Sequence, residues 1–223
     1  MLAIIGGSGL YALQGLQLEQ EHQVSTPFGE PSAPILQGCF ADQPVLFLAR
    51  HGLHHAYLPS EVNYRANIFA LKKLGARRVV GISAAGSLRG EIKPGELALA
   101  AQYFDHTRGR RACSFFGNGI AGHVSTANPA CPSLTTDIVR AAARCGEWLH
   151  EGKTYGCVEG PRLGTRVESF FLRDAATCGL VGMTNVPEAF LARESQLAYC
   201  TTCLAIAYAR WIDYHAHVLR VAA

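Results

Sequence analysis

Several apolar runs in this chain end in groups suited to holding an anion. "LAIIGG" leads into Gly6-Gly7-Ser8-Gly9, "PVLFLAR" into Arg50-His51-Gly52, and "RRVVGISAA" into Ser83-Ala84-Ala85-Gly86-Ser87. Further on, "KTYGCVEG" leads into Glu159-Gly160-Pro161-Arg162 and "GLVGM" into Gly182-Met183-Thr184-Asn185. Pooled, these ends supply backbone amides in glycine-rich turns, hydroxyls, a guanidinium and an imidazole. Such a set suits a tetrahedral oxyanion like phosphate, which accepts many hydrogen bonds and carries charge. Each hydroxyl alone serves equally well as a turn or cap residue, and Arg50-His51 alone as a surface pair. Their arrival at successive strand ends argues for one site, because open α/β sheets collect ligands at the C-terminal ends of their strands.

Other chemistries fit less well. Gly7 and Gly9 open half of a dinucleotide fingerprint, but Ala12 stands where G-x-G-x-x-G needs its third glycine. The acidic ribose ligand expected roughly 20 residues later would fall in "QLEQEHQVSTPFGEP", which is turn-rich and offers no clear second strand. "GGSGL" lacks the G-x-S-x-G spacing of a nucleophile elbow. His54 and His55 are adjacent and diverge on any regular helix or strand, so no metal is expected. Cys200-Thr-Thr-Cys203 has redox-like spacing but lies in the strand-like run "LAYCTTCLAIAY", where small core residues are the simpler reading.

The elements that must position these groups alternate in type. Strands are expected at 2–7, 44–50, 77–85, 96–104, 153–160, 179–183 and 197–208. Helices are expected at 59–75, 132–149, 164–179 and 186–196, the first with a Pro-Ser entry and Gly75 as its stop. Continuous apolar strands separated by helices imply a single α/β domain over 1–223, with a central mixed, largely parallel, twisted sheet flanked by helices. The segment 106–133 is the longest irregular piece, and loops of that length usually carry function.

Composition sets the outer limits. The chain has 223 residues, 49% of them hydrophobic and 17% charged, enough for a large core and too little charge for disorder. A net charge of +3 and scattered aromatics give no nucleic-acid surface. No apolar stretch approaches the roughly 18 residues of a membrane span, and the N-terminus does not read as a signal peptide. Eight cysteines then read as reduced thiols in the cytoplasm.

Five motifs carry a family resemblance. "IIGGSGL", "LARHGLHHAYLPSEVNYRANIFALKKLGA", "AAGSLRGEIKPGE", "EGPRLGTRVES" and "GMTNVPEAFLARE" resemble, in order and from Ile4 to about Trp211, the 5'-methylthioadenosine phosphorylase branch of the trimeric purine nucleoside phosphorylases. The resemblance implies the purine nucleoside phosphorylase fold. It also implies phosphorolysis: inorganic phosphate attacks the anomeric carbon of a purine 5'-methylthionucleoside, releasing free base and 5-methylthioribose 1-phosphate. Carried over by position, Ser8, Arg50, His51, Ser83, the backbone of Ala84, and Thr184 hold phosphate, with Arg50 and His51 as the catalytic pair. Met183 lies beneath the ribose, and His123 reaches the 5' end of the nucleoside in an adjacent subunit. The family needs no metal or organic cofactor, and it assembles as a homotrimer with shared sites.

The same resemblance exposes a gap. The adenine-cleaving branch ends its last strand in Asp-Tyr-Asp-x-Trp, whose aspartates contact N7 and the 6-amino group. This chain reads Ala207-Tyr208-Ala209-Arg210-Trp211. The 6-oxopurine branch uses an Asn on that strand and a Glu after its "GPR-F/L", where this chain has Gly164. A shifted alignment brings Asp213-Tyr214 into the role but requires an insertion and abandons Trp211. The long C-terminal helix of the family is short or missing in "HAHVLRVAA". Three functions therefore stay open. They are a methylthionucleoside phosphorylase of undecided base preference, a 6-oxopurine (inosine or guanosine) phosphorylase, and a phosphorylase-like binding protein with impaired catalysis.

Overall fold

Residue pairing, more than element type, decides where the strand ends meet. A computed structural model describes residues 1–109 and 111–209 of the chain. Its strands are β1 (Leu2–Gly6), β2 (Gln17–His22), β3 (Ile35–Phe40), β4 (Gln43–Ala49), β5 (Arg78–Ser87), β6 (Leu97–His106), β7 (Leu149–Val158), β8 (Leu180–Gly182) and β9 (Ala198–Tyr208). The helices are α1 (Tyr64–Lys73), α2 (Pro132–Arg144), α3 (Arg166–Phe170) and α4 (Asn185–Glu194). A short 3₁₀ turn covers Leu53–His55, and a π-helical turn, Phe171–Ala175, continues α3.

The sheet runs β2-β3-β4-β1-β5-β8-β7-β6-β9, and a further pairing of β5 with β9 closes β5, β8, β7, β6 and β9 into a ring. β1 lies parallel between β4 and β5, and β5 runs parallel to β9. β6, β7 and β8 are parallel to one another, whereas β5–β8 and β6–β9 are antiparallel. The mixed, largely parallel sheet expected from the alternating pattern is the one observed.

Two apolar layers hold this frame. Ile68 and Leu71 of α1 and Ala189 and Leu191 of α4 pack with Ala3 and Ile5 of β1 and Leu46 and Leu48 of β4. All the ring strands share a second cluster, with Ala85, Ala98, Ala100, Tyr155, Leu180, Cys203 and Ala205 among its members. Full burial of each larger aliphatic side chain stabilises by about 1.5–3 kcal/mol. Cys200 sits in a separate cluster with Leu99 and Leu134, so the two cysteines of the C-x-x-C face opposite sides of β9 as core residues. Burial pushes both thiols up, away from the reactive thiolate.

Several element boundaries differ from the sequence expectation. β2 is a strand where no clear one was expected. Its residues are almost all exposed, so it carries no apolar alternation, and pairing with β3 alone defines it. Its charged side chains suit an open sheet edge. Because β2 pairs only with β3, as an antiparallel edge strand, and β3 and β4 separate it from β1, the topology also removes the dinucleotide reading, which needs the next strand of the chain beside β1. α1 begins at Tyr64 instead of Pro59, because the Asn63 side chain accepts from the Ala66 amide and caps the helix. α2 stops before Gly146, whose φ of 73° ends it, and Leu149 already belongs to β7. α3 has a complete capping box between Thr165 and Glu168.

Candidate active site

Gly7 and Arg50 set the floor. The turn after β1 folds back, with the Leu10 amide donating to the Gly7 carbonyl at 3.0 Å. A Cβ on Gly7 would lie 2.6 Å from the Ile82 carbonyl oxygen and 2.8 Å from Arg50 Nη1, so only glycine lets this turn approach β5 and the guanidinium so closely. Ser8 follows in the turn and is exposed. Sequence reasoning left Arg50 open as half of a surface pair, but it is fully buried. Its Nε and Nη2 donate to Glu188 Oε2 and Oε1 at 2.6 and 2.8 Å, and Nη1 donates to the Ile82 carbonyl at 2.8 Å. Burial alone would lower the guanidinium pKa. The charge and hydrogen bonds of Glu188 outweigh it and hold Arg50 firmly protonated.

His51 is also buried, with its ring stacked on His55 at 4.4 Å. Its Nδ1 lies 2.9 Å from the Tyr57 carbonyl, which can only accept, so the Nδ1 carries the proton. Burial first, then the charges of Arg50 and His55, outweigh that hydrogen bond and lower its pKa to about 4. The ring is therefore neutral at pH 7, with Nε2 as an acceptor. His55 does not diverge from the site, because positive φ angles at His54 and His55 turn it back; its Nδ1 meets the Tyr11 hydroxyl at 3.0 Å.

The ring strands bring the remaining hydroxyls. Ser83 is buried on β5 with its Oγ 3.4 Å from the Tyr155 hydroxyl, and Ala84 follows it on the strand. Thr184 is the buried N-cap residue of α4, and its Oγ1 donates to Asn185 Oδ1 at 3.3 Å. Met183 packs over Gly160, where a Cβ would lie 2.6 Å from its sulfur. The β7–β8 register sets Cys157 opposite Gly182, which brings Glu159 and Gly160 alongside Met183 and Thr184.

A cleft of about 140 Å³ opens beside that junction, lined by Arg108, Glu159, Gly160, Arg162, Gly164 and Glu168 among others. Arg162 and Glu168 pair across it at 2.6 and 2.8 Å. Arg111, unremarked in the sequence, fixes one wall. Its Nη1 donates to the Met183 and Val186 carbonyls at 2.6 and 2.7 Å, and its Nε to Glu159 Oε1 at 3.2 Å. Glu159 Oε2 is buried and has no partner among the described residues. The signal for Arg111 was weak because its partners are mostly backbone carbonyls. Glu188 left a clearer one, a lone acid in the apolar helix "VPEAFLA".

The end of β9 has a different character. Ala207 and Tyr208 pair with Gly86 and Ser87, and the Ala209 amide donates to the Ser87 carbonyl at 2.7 Å. Ala209 joins an apolar cluster with Leu88, Leu172, Val158 and Val181. Trp211 and Asp213-Tyr214, with the expected short C-terminus, lie outside the described residues. His123 is exposed in the irregular segment and makes none of the hydrogen bonds that join the other candidates. Among the described residues, no group of three or more His, Cys, Asp and Glu side chains is placed to hold a metal ion.

The phosphorylase superfamily model matches residues 1–222 of this chain. The chain belongs to that superfamily. Among its phosphorylase relatives, the S-methyl-5'-thioadenosine phosphorylase of Geobacter sulfurreducens is 45% identical over 96% of this chain and 75% of its own length. That of Hyperthermus butylicus is 45% identical over 95% of this chain and 77% of its own. A methylthioadenosine phosphorylase from an antarctic soil metagenomic library superposes with a TM-score of 0.91 at 43% identity, covering 100% of this chain and 77% of the other. A Schistosoma mansoni adenosine/methylthioadenosine phosphorylase variant in complex with methylthioadenosine gives a TM-score of 0.89 at 33% identity, covering 96% and 82%. The resemblance read from the five motifs is thus borne out over nearly the whole chain.

Proposed function

We propose that this chain cleaves the N-glycosidic bond of a purine 5'-methylthionucleoside, methylthioadenosine first, by phosphorolysis. The observation that carries the reading is its near-full-length likeness to S-methyl-5'-thioadenosine phosphorylases. The strand ends supply the fitting chemistry. Inorganic phosphate would rest against the turn at Ser8, above the Arg50 guanidinium, with the Ser83 hydroxyl, the Ala84 amide, His51 and Thr184 around it. Neutral His51 offers Nε2 to a protonated phosphate oxygen. Phosphate held there would attack the anomeric carbon while its charge stabilises the developing oxocarbenium ion. Met183 would support the ribose, and Gly164, Ala207, Tyr208 and Ala209 would border the base.

The reaction requires no metal or organic cofactor, since phosphate is itself the nucleophile. A homotrimer accounts for exposed His123, which would complete a neighbour's 5' pocket. The cytoplasm suits a chain whose buried thiols are unpaired, and no helix among the described residues is long and apolar enough to cross a membrane.

Ala207 and Ala209 favour a second reading, a nucleoside- and phosphate-binding protein with weak leaving-group activation, because alanine cannot protonate or hydrogen-bond a departing purine. One assay separates the two. Purified protein is mixed with phosphate and, in turn, methylthioadenosine, methylthioinosine, inosine and adenosine, and free base is followed. Phosphate-dependent release from a methylthionucleoside is expected. Release without phosphate sinks phosphorolysis, and binding without release supports the second reading.

A further inference from the structure

Beneath the strand ends, Arg50 and Thr184 are the two ends of one buried polar chain. Glu188, 1% exposed on α4, receives Arg50 on both carboxylate oxygens. Its Oε1 also accepts from the Tyr199 hydroxyl at 2.7 Å. The Tyr199 oxygen accepts in turn from Thr201 Oγ1 at 3.1 Å and from Asn185 Nδ2 at 3.5 Å. Asn185 Nδ2 donates to Thr201 Oγ1 as well, and its Oδ1 receives the Thr184 hydroxyl. Tyr103 closes the chain by donating to Thr201 Oγ1 at 2.8 Å.

The donors have one consistent direction. Thr201 gives its only hydroxyl proton to Tyr199, and Tyr199 gives its own to Glu188. The carboxylate is the group in this chain that only accepts, so it sets the direction of the other bonds. β5 makes room for the crossing: a Cβ on Gly81 would lie 2.5 Å from the Tyr199 oxygen and 2.9 Å from Glu188 Oε1. Arg50 has three of its N–H groups committed to Glu188 and Ile82. A guanidinium has five, so two are not taken up by these bonds.

We propose that Glu188 is a positioning residue for the phosphate nucleophile. It fixes the Arg50 guanidinium and, through Tyr199, Thr201 and Asn185, the head of α4 that carries Thr184. Two sides of the anion site, contributed by segments far apart in the chain, are thereby set as one piece. This assignment rests on the phosphorolysis reading above.

The test compares the unmodified protein with Glu188→Gln and Tyr199→Phe. Phosphorolysis of methylthioadenosine gives KM for each substrate, and calorimetry gives the affinity for inorganic phosphate. Glu188→Gln keeps the shape but turns an amide donor toward Arg50 or Tyr199, so phosphate KM and phosphate Kd are expected to rise about tenfold. Tyr199→Phe keeps the ion pair and cuts the link to Thr184, for a rise of about threefold. KM for the nucleoside is expected to change less than about twofold in both, because the network lies under the anion and not under the base. Unchanged phosphate KM and Kd with only a lowered melting temperature overturns the proposal, and so does an equal rise in both KM values. If Glu188→Gln fails to fold, Tyr199→Phe decides the matter by the same criteria. Unmodified protein that neither binds phosphate nor needs it for base release overturns the phosphorolysis reading itself, and this assignment with it.

Discussion

The floor under β1, β4 and β5 and the wall at the end of β9 are built on opposite principles. The floor is polar and internally hydrogen-bonded. Arg50, Glu188, Tyr199, Thr201 and Asn185 are all buried, and hydrogen bonds link each to the next. The wall has no side-chain polar group at Ala207 or Ala209, and Ala209 packs among aliphatic and aromatic side chains. A buried network of this kind holds a charge at a fixed place, because low dielectric makes any unpaired member costly. An apolar wall gives shape and little else. On the proposed reading, the difference teaches that anion binding and leaving-group activation are separable, since among the described residues the floor carries buried charge and hydrogen-bond donors and the wall at Ala207 and Ala209 carries neither.

The largest effect is expected where one partner of the floor is removed. Glu188→Ala leaves Arg50 buried and unpaired, which should destabilise the fold by about 3–5 kcal/mol. Replacing both partners, Arg50→Met with Glu188→Leu, should recover most of that stability while abolishing phosphate binding. Urea unfolding of the single and double variants checks it. If the single variant loses no more than the double, the floor is not the charge-paired assembly described above.

A smaller effect is expected at the wall. Ala207→Asp places a carboxylate opposite Gly86, at the position where the family resemblance led one to be expected. General acid–base assistance typically contributes about 10²–10⁴-fold, and even a partly oriented group should raise kcat for methylthioadenosine about tenfold. Phosphate KM should not move. A gain confined to phosphate KM, or none in kcat, would show that the base is activated elsewhere and that floor and wall are not independent.

Much of this contrast was legible in the sequence, for identifiable reasons. Ser8, Arg50, Ser83 and Thr184 stood out because each follows an apolar run, and strand ends are where a chain can turn polar groups toward a ligand. The two alanines stood out only against the family pattern. By contrast, β2 was hidden because a solvated edge strand needs no apolar alternation, so nothing in "QLEQEH" distinguishes it from a loop. The acid Glu188 was visible in its apolar helix, but its role was hidden because its partners are Arg50, just after β4, and Tyr199 on β9, and only the parallel order of β4, β1, β5 and β9 brings them together. Arg111 was hidden in the irregular segment for the same reason: it binds carbonyls, which no sequence records.

A further prediction concerns protons at the floor. His51 has a pKa of about 4 in the fold, below the ordinary value of 6.5, because burial and the nearby cations disfavour its charged form. Between those two values the unfolded chain binds the proton and the folded chain does not. Stability from this group is therefore complete above pH 6.5, falls as pH drops from 6.5 towards 4, and levels off below that. The slope is at most about 1.4 kcal/mol per pH unit. Carboxylates elsewhere also titrate at the lower end, so the measurement is a difference: unfolding free energies at pH 7.5 and pH 5 for the unmodified protein and for His51→Asn. The unmodified protein should lose more between the two conditions. Equal losses would mean that His51 gains its proton without cost, and that a cation can be added to the floor beside Arg50. That result would break the comparison, because a floor that takes up another positive charge without cost does not hold its charge at one fixed place.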